Sequence, residues 1–293
     1  MNQYKRQDVF RCSHEAHERF NNAVSVYHVL VKKKCYPGGC IYFKWKCKKL
    51  DKGAPCPRGY KHVGRGCASC RYFYDIKVIR RPEVLLADRE FKQFKRDLAD
   101  FEQWLREHDG RLVEFSGRVN SVKPRFSLER NRTGVRVSFT GFLLNFVDGA
   151  VNARLFNDLL YVPISPRMQR RFGFGRGDTV ECKAVFAVQD GSVVLRNIRG
   201  VEVFERGEPC FWTDSRARVA RQTGAVLIYQ SPACYCCERG VLVPVTGEHS
   251  GKKEPRRVMF CLEGIEDPRL CCYAAQKTLH KQSQADGDGT VCL

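Results

Sequence analysis

Apolar and polar residues alternate along several stretches between residues 111 and 207. The run from Val180 to Val188 alternates without interruption. In the run from Val135 to Leu143 every second residue is apolar or glycine, which predicts an outward position for Phe142. A period of two residues is typical of strands that bury one face. The predicted strands lie within residues 113–119, 135–143, 151–155, 180–188 and 193–203.

Turn and cap residues separate these strands. Asp148-Gly149 and Asp190-Gly191 are strong signals for two-residue hairpin turns. Ser165 followed by Pro166 is typical of a helix N-terminus, with serine as the cap and proline in the first turn. We therefore predict a short helix from there to Phe172, between the third and fourth strands.

Three strands, a helix and two further strands follow one another in the order of the OB-fold. A length of about a hundred residues also suits this five-stranded Greek-key barrel. Residues 111–207 therefore resemble an OB-fold domain. The resemblance implies ligand binding across the second and third strands and the flanking loops. It implies no particular function, because the fold serves many.

A helix is predicted within residues 83–110. Its apolar residues recur at steps of three and four, and Gly110 provides a C-terminal cap. We interpret it as a structural link, with a partner-binding helix as the alternative. The apolar positions are Val84, Leu85, Phe91, Phe94, Leu98, Phe101, Trp104 and Leu105.

Positive charge is concentrated in two parts of the chain. The formal net charge is +19, and residues 1–82 contain 19 Lys and Arg against 5 Asp and Glu. Residues 111–207 contain 16 against 9, whereas residues 83–110 are slightly acidic. Basic surface segregated in this way favours binding of a polyanion over ordinary solubility charge.

Cysteines are dense in the N-terminal module, where Cys67-x2-Cys70 has the spacing of a metal knuckle. No apolar signal segment is visible at Met1, which favours metal ligation over disulfides and predicts a cytoplasmic protein. Zinc is the expected ion, with an iron–sulfur cluster or plain buried thiols as alternatives. A histidine, from His14, His17, His28 or His62, is the eighth donor needed for two four-ligand sites. The seven thiols are Cys12, Cys35, Cys40, Cys47, Cys56, Cys67 and Cys70.

A second cysteine group lies near the C-terminus. The motif Cys234-x2-Cys237-x2-Gly240 resembles the knuckle of zinc-ribbon and treble-clef modules. A hairpin follows, and Asp267-Pro268 predicts a short helix that carries further cysteines. The resemblance implies one metal site, although a second Cys-x2-Cys pair is missing. The predicted ligands are Cys234, Cys237, Cys261 and Cys271, with Cys272 competing for the last position and Cys236 as a spectator.

The segment between the first two barrel strands is the candidate nucleic-acid interface. It is predicted as a mobile loop with cations for phosphates and a ring for a base. A solvated basic loop is the alternative interpretation. The candidate residues here and on strands 2 and 3 are Lys123, Arg125, Phe126, Arg130, Arg132, Arg136, Phe142, Arg154 and Phe156. Lys44, Lys46, Phe43 and Trp45 also interleave charge with aromatic rings.

The sequence therefore predicts an α+β, mainly β protein with a barrel between two cysteine-rich modules. We expect it to bind single-stranded DNA or RNA, without a membrane partner and without enzymatic activity, since no catalytic constellation is visible. A redox protein with an iron–sulfur cluster and an assembly subunit that binds other proteins are the alternatives. The predicted segments are a metal module (1–82), a linking helix (83–110), the barrel (111–207), a second metal module (208–280) and a disordered tail (281–293).

Overall fold

Five strands close into a barrel in the part of the chain after residue 105. The computed structural model describes residues 2–131, 134–235, 237–247 and 256–273. These residues form two units, one of residues 2–105 and one that begins at Arg106.

Three predictions concern residues outside this description. They are the nucleic-acid contact assigned to Arg132, the spectator role of Cys236 and the tail at 281–293.

The described residues form thirteen strands and four α-helices, which confirms the mainly β class. The helices are α1 (Asp88–His108), α2 (Pro166–Phe172), α3 (Asp214–Thr223) and α4 (Pro232–Tyr235). The strands are β1 (Phe10–Arg11), β2 (Ala23–Val24), β3 (Cys40–Cys47), β4 (Phe73–Arg80), β5 (Glu83–Val84), β6 (Leu112–Asn131), β7 (Gly134–Val151), β8 (Arg154–Ile164), β9 (Thr179–Gln189), β10 (Ser192–Glu205), β11 (Ala225–Val226), β12 (Gly240–Gly247) and β13 (Arg256–Cys261).

The barrel consists of β6 to β10, with α2 between β8 and β9. Strand β6 pairs antiparallel with β7 and with β9, so that Phe115 lies opposite both Val151 and Cys182. Strand β8 pairs antiparallel with β7 and parallel with β10, and β10 pairs antiparallel with β9. These pairings close the ring in the order of the five-stranded Greek-key barrel. The predicted five-stranded barrel is confirmed.

Helix α2 begins and ends where its cap residues predict. The Ser165 hydroxyl accepts a hydrogen bond from the Met168 N–H at 3.2 Å, and Pro166 occupies the first turn. Gly173 ends the helix at φ 59°, in the left-handed region that favours glycine. The predicted helix is confirmed.

Asp148-Gly149, in contrast, is not a turn. Strand β7 continues through both residues, and the chain reverses at Asn152 and Ala153, whose φ angles are 48° and 62°. A Cβ on Gly149 would lie 2.5 Å from the Phe115 ring. Glycine is therefore needed there for close packing between β6 and β7, and the predicted turn was wrong.

The buried face of β7 also differs from the prediction. Arg125 pairs with Gly141 and Phe126 with Phe139, so Thr140 is an extra residue in β7. Such a bulge reverses which side chains face inward. Beyond it, the buried residues are Phe142, Leu144 and Phe146, at 0%, 1% and 1% exposure.

The predicted mobile loop at residues 123–132 is a strand as far as Asn131. Strands β6 and β7 continue beyond the barrel as a paired hairpin, and Arg130 lies opposite Val135. Strand β12 then pairs parallel with β6, where Val245 lies opposite Leu128. The C-terminal cysteine segment therefore extends the barrel sheet. At the other side of this segment, Arg257 and Asp190 form an ion pair of 2.5 Å, which ties β13 to the β9–β10 turn.

In the N-terminal unit, the apolar residues of α1 pack against short strands. Phe94 and Leu98 share a buried cluster with Phe10, Val24 and Val29. The helix begins at Asp88, because residues 83–84 form a strand that pairs with β1. Among the described helices, none is long and apolar enough to cross a membrane.

Gly149 is a close-packing position within a strand and Ala153 is a turn residue with a positive φ angle. Urea denaturation of variants at the two positions tests this difference. Gly149→Ala should lower the free energy of unfolding by about 1–3 kcal/mol, because the added methyl group meets Phe115. Ala153→Gly should leave it within about 1 kcal/mol of the parent, because glycine removes left-handed strain but adds chain entropy. A neutral Gly149→Ala variant would contradict the close-packing role.

Candidate nucleic-acid interface and thiol clusters

The three phenylalanines predicted to meet a ligand lie in the core. Phe142 is 0% exposed, and Phe126 and Phe156 are each 4% exposed. The Phe126 ring centroid lies 5.8 Å from that of Phe139 and 5.5 Å from that of Phe260. The prediction that these rings stack on bases is therefore wrong. For Phe142 the prediction failed because of the bulge in β7, which reverses the inward and outward faces of the strand. The sequence pattern gives no sign of this bulge.

The Lys123 side chain forms hydrogen bonds within the protein. Its amine donates hydrogen bonds to the carbonyl oxygens of Cys237 at 2.7 Å and Gly240 at 3.1 Å. Two short bonds to the C-terminal knuckle hold the amine in place. These bonds connect β6 with the C-terminal cysteine segment, and the phosphate contact of Lys123 stays a prediction.

Three predicted arginines remain on the surface of the β6–β7 hairpin. Arg125, Arg130 and Arg136 are exposed, and none of them forms an ion pair with another described residue. Arg136 lies opposite Glu129, so the alternation of β6 puts Arg125 and Arg136 on one face of the hairpin. Arg154 is exposed at the other end of β7, in the first position of β8. The structure thus puts Arg125 and Arg136 on one face, four β6 positions apart, and Arg154 at the far end of β7.

A second arginine increases the positive potential around Arg125. Partial burial, followed by the positive charge of Arg196 on β10, lowers the pKa of the Arg125 guanidinium. The Arg196 side chain donates a hydrogen bond to the neutral Gln189 amide oxygen at 3.1 Å, and no ion pair joins it to another residue in the part of the chain that the structure describes. Two neighbouring guanidinium groups favour an anionic ligand, because an anion relieves their mutual repulsion.

The N-terminal hairpin of β3 and β4 exposes a row of apolar side chains. Ile41, Phe43 and Trp45 alternate along β3 and are 54%, 57% and 46% exposed. Across the strands they lie opposite Ile79, Lys77 and Asp75 respectively. Side chains at directly opposed positions share a face. The hairpin therefore presents two adjacent aromatic rings on one surface, together with one lysine (Lys77) and one aspartate (Asp75).

Lys44 and Lys46, which alternate with these rings in sequence, lie on the opposite face of the hairpin and have acidic partners. Lys44 forms an ion pair with Glu15, and the Lys46 amine lies 3.5 Å from an Asp51 carboxylate oxygen. Tyr42, also on this face, packs against the His14 ring at 4.3 Å. The lysines and aromatic residues that alternate in sequence therefore lie on opposite faces of the hairpin. The lysine on the aromatic face is Lys77, which comes from β4.

Four N-terminal thiols line one small cavity. Cys47 ends β3, Cys70 lies three residues before β4, and Cys56 and Cys67 come from the intervening segment. The cavity is about 20 Å³ in volume. The Cys70 N–H donates to the Cys67 carbonyl at 2.8 Å, which is the tight turn expected for a Cys-x2-Cys knuckle. All four thiols are free.

Four C-terminal thiols line a second cavity, also of about 20 Å³. They are Cys234, Cys237, Cys261 and Cys271, whereas Cys272 is exposed and does not line it. Burial, and then the neighbouring Cys237, Cys271 and Cys261 thiols, raise the pKa of Cys234. The structure thus brings together the four C-terminal cysteines that the sequence favoured.

The other three N-terminal thiols belong to the apolar cluster beside α1. Cys12 and Cys35 are buried there at 1% and 5% exposure, and Cys40 packs against them. Burial raises the pKa of Cys35, and the nearby Cys12 and Cys40 thiols raise it further. As the side chains stand, no group of three or more His, Cys, Asp or Glu within the described residues is arranged to hold a metal ion.

Three histidines lie beside one another in the N-terminal unit. The His17 ring centroid is 5.0 Å from that of His28 and 5.5 Å from that of His14. The His14 Nδ1 atom accepts a hydrogen bond from the Ala16 N–H at 3.0 Å, whereas the His17 Nδ1 atom is buried without a hydrogen-bond partner in the described structure. These three histidines and His62 are the predicted candidates for the eighth metal ligand. Of the four, only His62 lines one of the two described cysteine cavities.

Comparison with known proteins gives matches to part of the chain. No protein-family model and no curated protein matches it. Three crystal structures of Rim1, a mitochondrial single-stranded DNA binding protein from S. cerevisiae, are similar to 34% of this chain and 99–100% of their own. Their sequence identity is 15–16% and the TM-score is 0.20.

The histidine group should make the N-terminal unit less stable in mild acid. Burial, then the nearby positive charges of His17 and Lys33, lower the pKa of His28 from 6.5 to about 4. Between these values the unfolded chain binds more protons than the folded chain, so stability falls as the pH drops from 6.5 towards 4. We expect a lower urea midpoint at pH 5 than at pH 7.

His28→Gln should reduce this pH dependence, because glutamine does not titrate. His108→Gln, outside the group, should retain it. Equal pH dependence in the His28→Gln variant and the parent would show that His28 is not responsible. Urea midpoints of the three proteins, measured at both pH values, make the comparison.

Proposed function

We propose that this protein binds single-stranded nucleic acid, with the aromatic face of the β3–β4 hairpin as its base-stacking surface. The exposure of Phe43 and Trp45 on one face, at 57% and 46%, is the observation that carries the proposal. Aromatic rings bind single strands because every unpaired base offers a face for stacking. Bases within a duplex are already stacked on one another, so this surface discriminates against duplex.

The charge around this hairpin suits the same ligand. Lys77 and Asp75 both share the aromatic face, and residues 1–82 as a whole contain 19 Lys and Arg against 5 Asp and Glu. Phosphates follow the bases along a strand, so lysine beside aromatic rings provides both kinds of contact. An apolar face used only for protein contact requires no such excess of positive charge.

The exposed arginines of the barrel unit supply phosphate contacts in this proposal. Arg125 and Arg136 share a face of the β6–β7 hairpin, and Arg196 adds a second guanidinium near Arg125. Since Phe126, Phe142 and Phe156 are buried, the part of the barrel unit in this proposal is its charge. Its contribution to affinity is therefore expected to be strongly dependent on salt.

A protein partner is the second candidate, and one observation favours it. Ile41 and Ile79 are 54% and 47% exposed and lie opposite each other beside the aromatic rings. Exposed aliphatic side chains in a contiguous patch are typical of protein interfaces. The assembly-subunit hypothesis therefore uses the same surface, and the two candidates differ in the ligand that competes for it.

Replacing Trp45 or Phe43 with alanine should weaken binding of a fluorescent single-stranded oligonucleotide. Loss of stacking by one base costs about 1–3 kcal/mol, which is roughly a 5- to 150-fold rise in Kd. The salt dependence should change little, since stacking releases few ions. Phe204→Ala is the matched control, because Phe204 is 58% exposed on β10 and outside the hairpin. Fluorescence anisotropy measures all four proteins.

Competition by duplex DNA and heparin completes this experiment. We expect both to compete less well than an unlabelled single strand. Equal competition, together with alanine variants that bind like the parent, would contradict the proposal and favour a protein partner for the hairpin face.

Replacing Arg125, Arg130 and Arg136 with alanine should weaken binding at low salt and reduce its salt dependence. Each lost phosphate contact lowers the slope of log K against log salt by about 0.7 for a single strand. Lys183→Ala is the control, because Lys183 is exposed but forms an ion pair with Glu114 at 3.2 Å. An unchanged slope in the triple variant would exclude these three arginines of the β6–β7 hairpin from the interface.

A further inference from the structure

We propose that each four-cysteine cavity is a structural zinc site. The N-terminal zinc site consists of Cys47, Cys56, Cys67 and Cys70, and the C-terminal zinc site consists of Cys234, Cys237, Cys261 and Cys271. This inference is independent of the proposed nucleic-acid binding.

The donor set fits zinc. Structural zinc sites are tetrahedral and closed, and four thiolates are one of their common ligand sets. Each cavity is lined by four cysteines, and all eight are free thiols. Zinc is the usual ion of such a set, whereas an iron–sulfur cluster uses the same four ligands and is distinguished by its iron content and colour.

The four cysteines of each cavity line one common space, so their sulfur atoms face a shared centre. The sulfur atoms stand around the cavities without forming a coordination set among the described residues. Cysteine has one rotatable χ1 angle with three staggered positions, and a bound ion would select the rotamer that points each sulfur atom towards it. The two knuckles already have their tight turns, with Cys70 N–H to Cys67 carbonyl at 2.8 Å and Cys237 N–H to Cys234 carbonyl at 3.4 Å.

The N-terminal segment needs a cross-link of this kind. Residues 48–72 lie between β3 and β4, and none of them is buried. Hydrophobic burial therefore provides little stabilisation for this segment, and all its thiols are free. An ion that joins Cys47 and Cys70 at the hairpin base to Cys56 and Cys67 supplies the missing free energy of folding.

At the C-terminal zinc site, Lys123 provides a positioning contact. Its amine hydrogen-bonds to the carbonyls of Cys237 and Gly240, immediately beside the ligand set. One zinc ion with four thiolates has a net double negative charge, and a neighbouring ammonium group stabilises it. The same contact connects the site with β6, so zinc at this site stabilises the extension of the barrel sheet.

Elemental analysis of the full chain, purified without chelators, tests the assignment. We expect at least two zinc ions per chain in the parent, and one fewer in Cys70→Ser and in Cys271→Ser. Cys272→Ser is the matched control for Cys271→Ser and should retain every ion, because Cys272 is exposed and lies off the cavity. Loss of an ion in Cys272→Ser with none lost in Cys271→Ser would overturn the C-terminal assignment.

Two measurements on the parent protein keep the test valid if a variant fails to fold. Alkylation followed by mass spectrometry should modify Cys272 rapidly and the eight assigned thiols only after chelation. Substitution by cobalt should give the visible spectrum of a tetrahedral thiolate site. A brown protein that contains iron, or a metal-free protein with the same protease resistance and thiol reactivity before and after chelation, would overturn the proposal.

Lys123→Met tests the positioning role separately. We expect the C-terminal zinc ion to be released to a competing chelator more readily than in the parent, while the N-terminal ion is unaffected. Arg125→Met, two residues along β6, is the control. Equal release from Lys123→Met and the parent would show that Lys123 does not support the site.

Discussion

Strand β6 forms backbone hydrogen bonds with three other strands, and the C-terminal unit depends on those pairings. Its first residues pair with β9 and close the barrel, the part from Phe115 to Asn131 pairs with β7, and residues near its end pair with β12. Backbone groups that are removed from water need such partners. One continuous strand therefore connects barrel closure, the exposed arginines of the hairpin and the C-terminal thiols.

Local chemistry in the sequence was sufficient for some elements and not for others. Asp190-Gly191 forms the predicted turn, with φ angles of 50° and 73°. Asp148-Gly149 is the same dipeptide, yet it lies within a strand because Gly149 must pack against the Phe115 ring. The difference depends on a neighbour more than thirty residues away in sequence. A dipeptide signal contains no information about such a neighbour, so a tertiary contact decided the outcome.

The candidate sites show a similar division. Sequence spacing favoured Cys271 over Cys272, and only Cys271 lines the cavity. The grouping of the N-terminal thiols was not readable, since Cys47 meets Cys70 only through the pairing of β3 with β4. Phe142 was misplaced by a one-residue bulge, which inverts a face without leaving a mark in the hydrophobic pattern. The positions of residues within short sequence motifs were therefore predictable. The positions of residues that meet only through the pairing of strands were not.

The pairing of β12 with β6 has a consequence for any shortened form of the protein. A chain that ended after the last barrel strand, near residue 207, would lack β12 and leave the β6 backbone at Leu128 to Arg130 without its partner strand. An uncovered strand edge is a template for other chains. The apolar side chains that now meet Phe260, including Phe126, would face water in the same fragment. The C-terminal cysteine segment thus covers a strand edge and an apolar surface of the barrel. The barrel has its own closed topology, but without this segment we expect it to associate with itself.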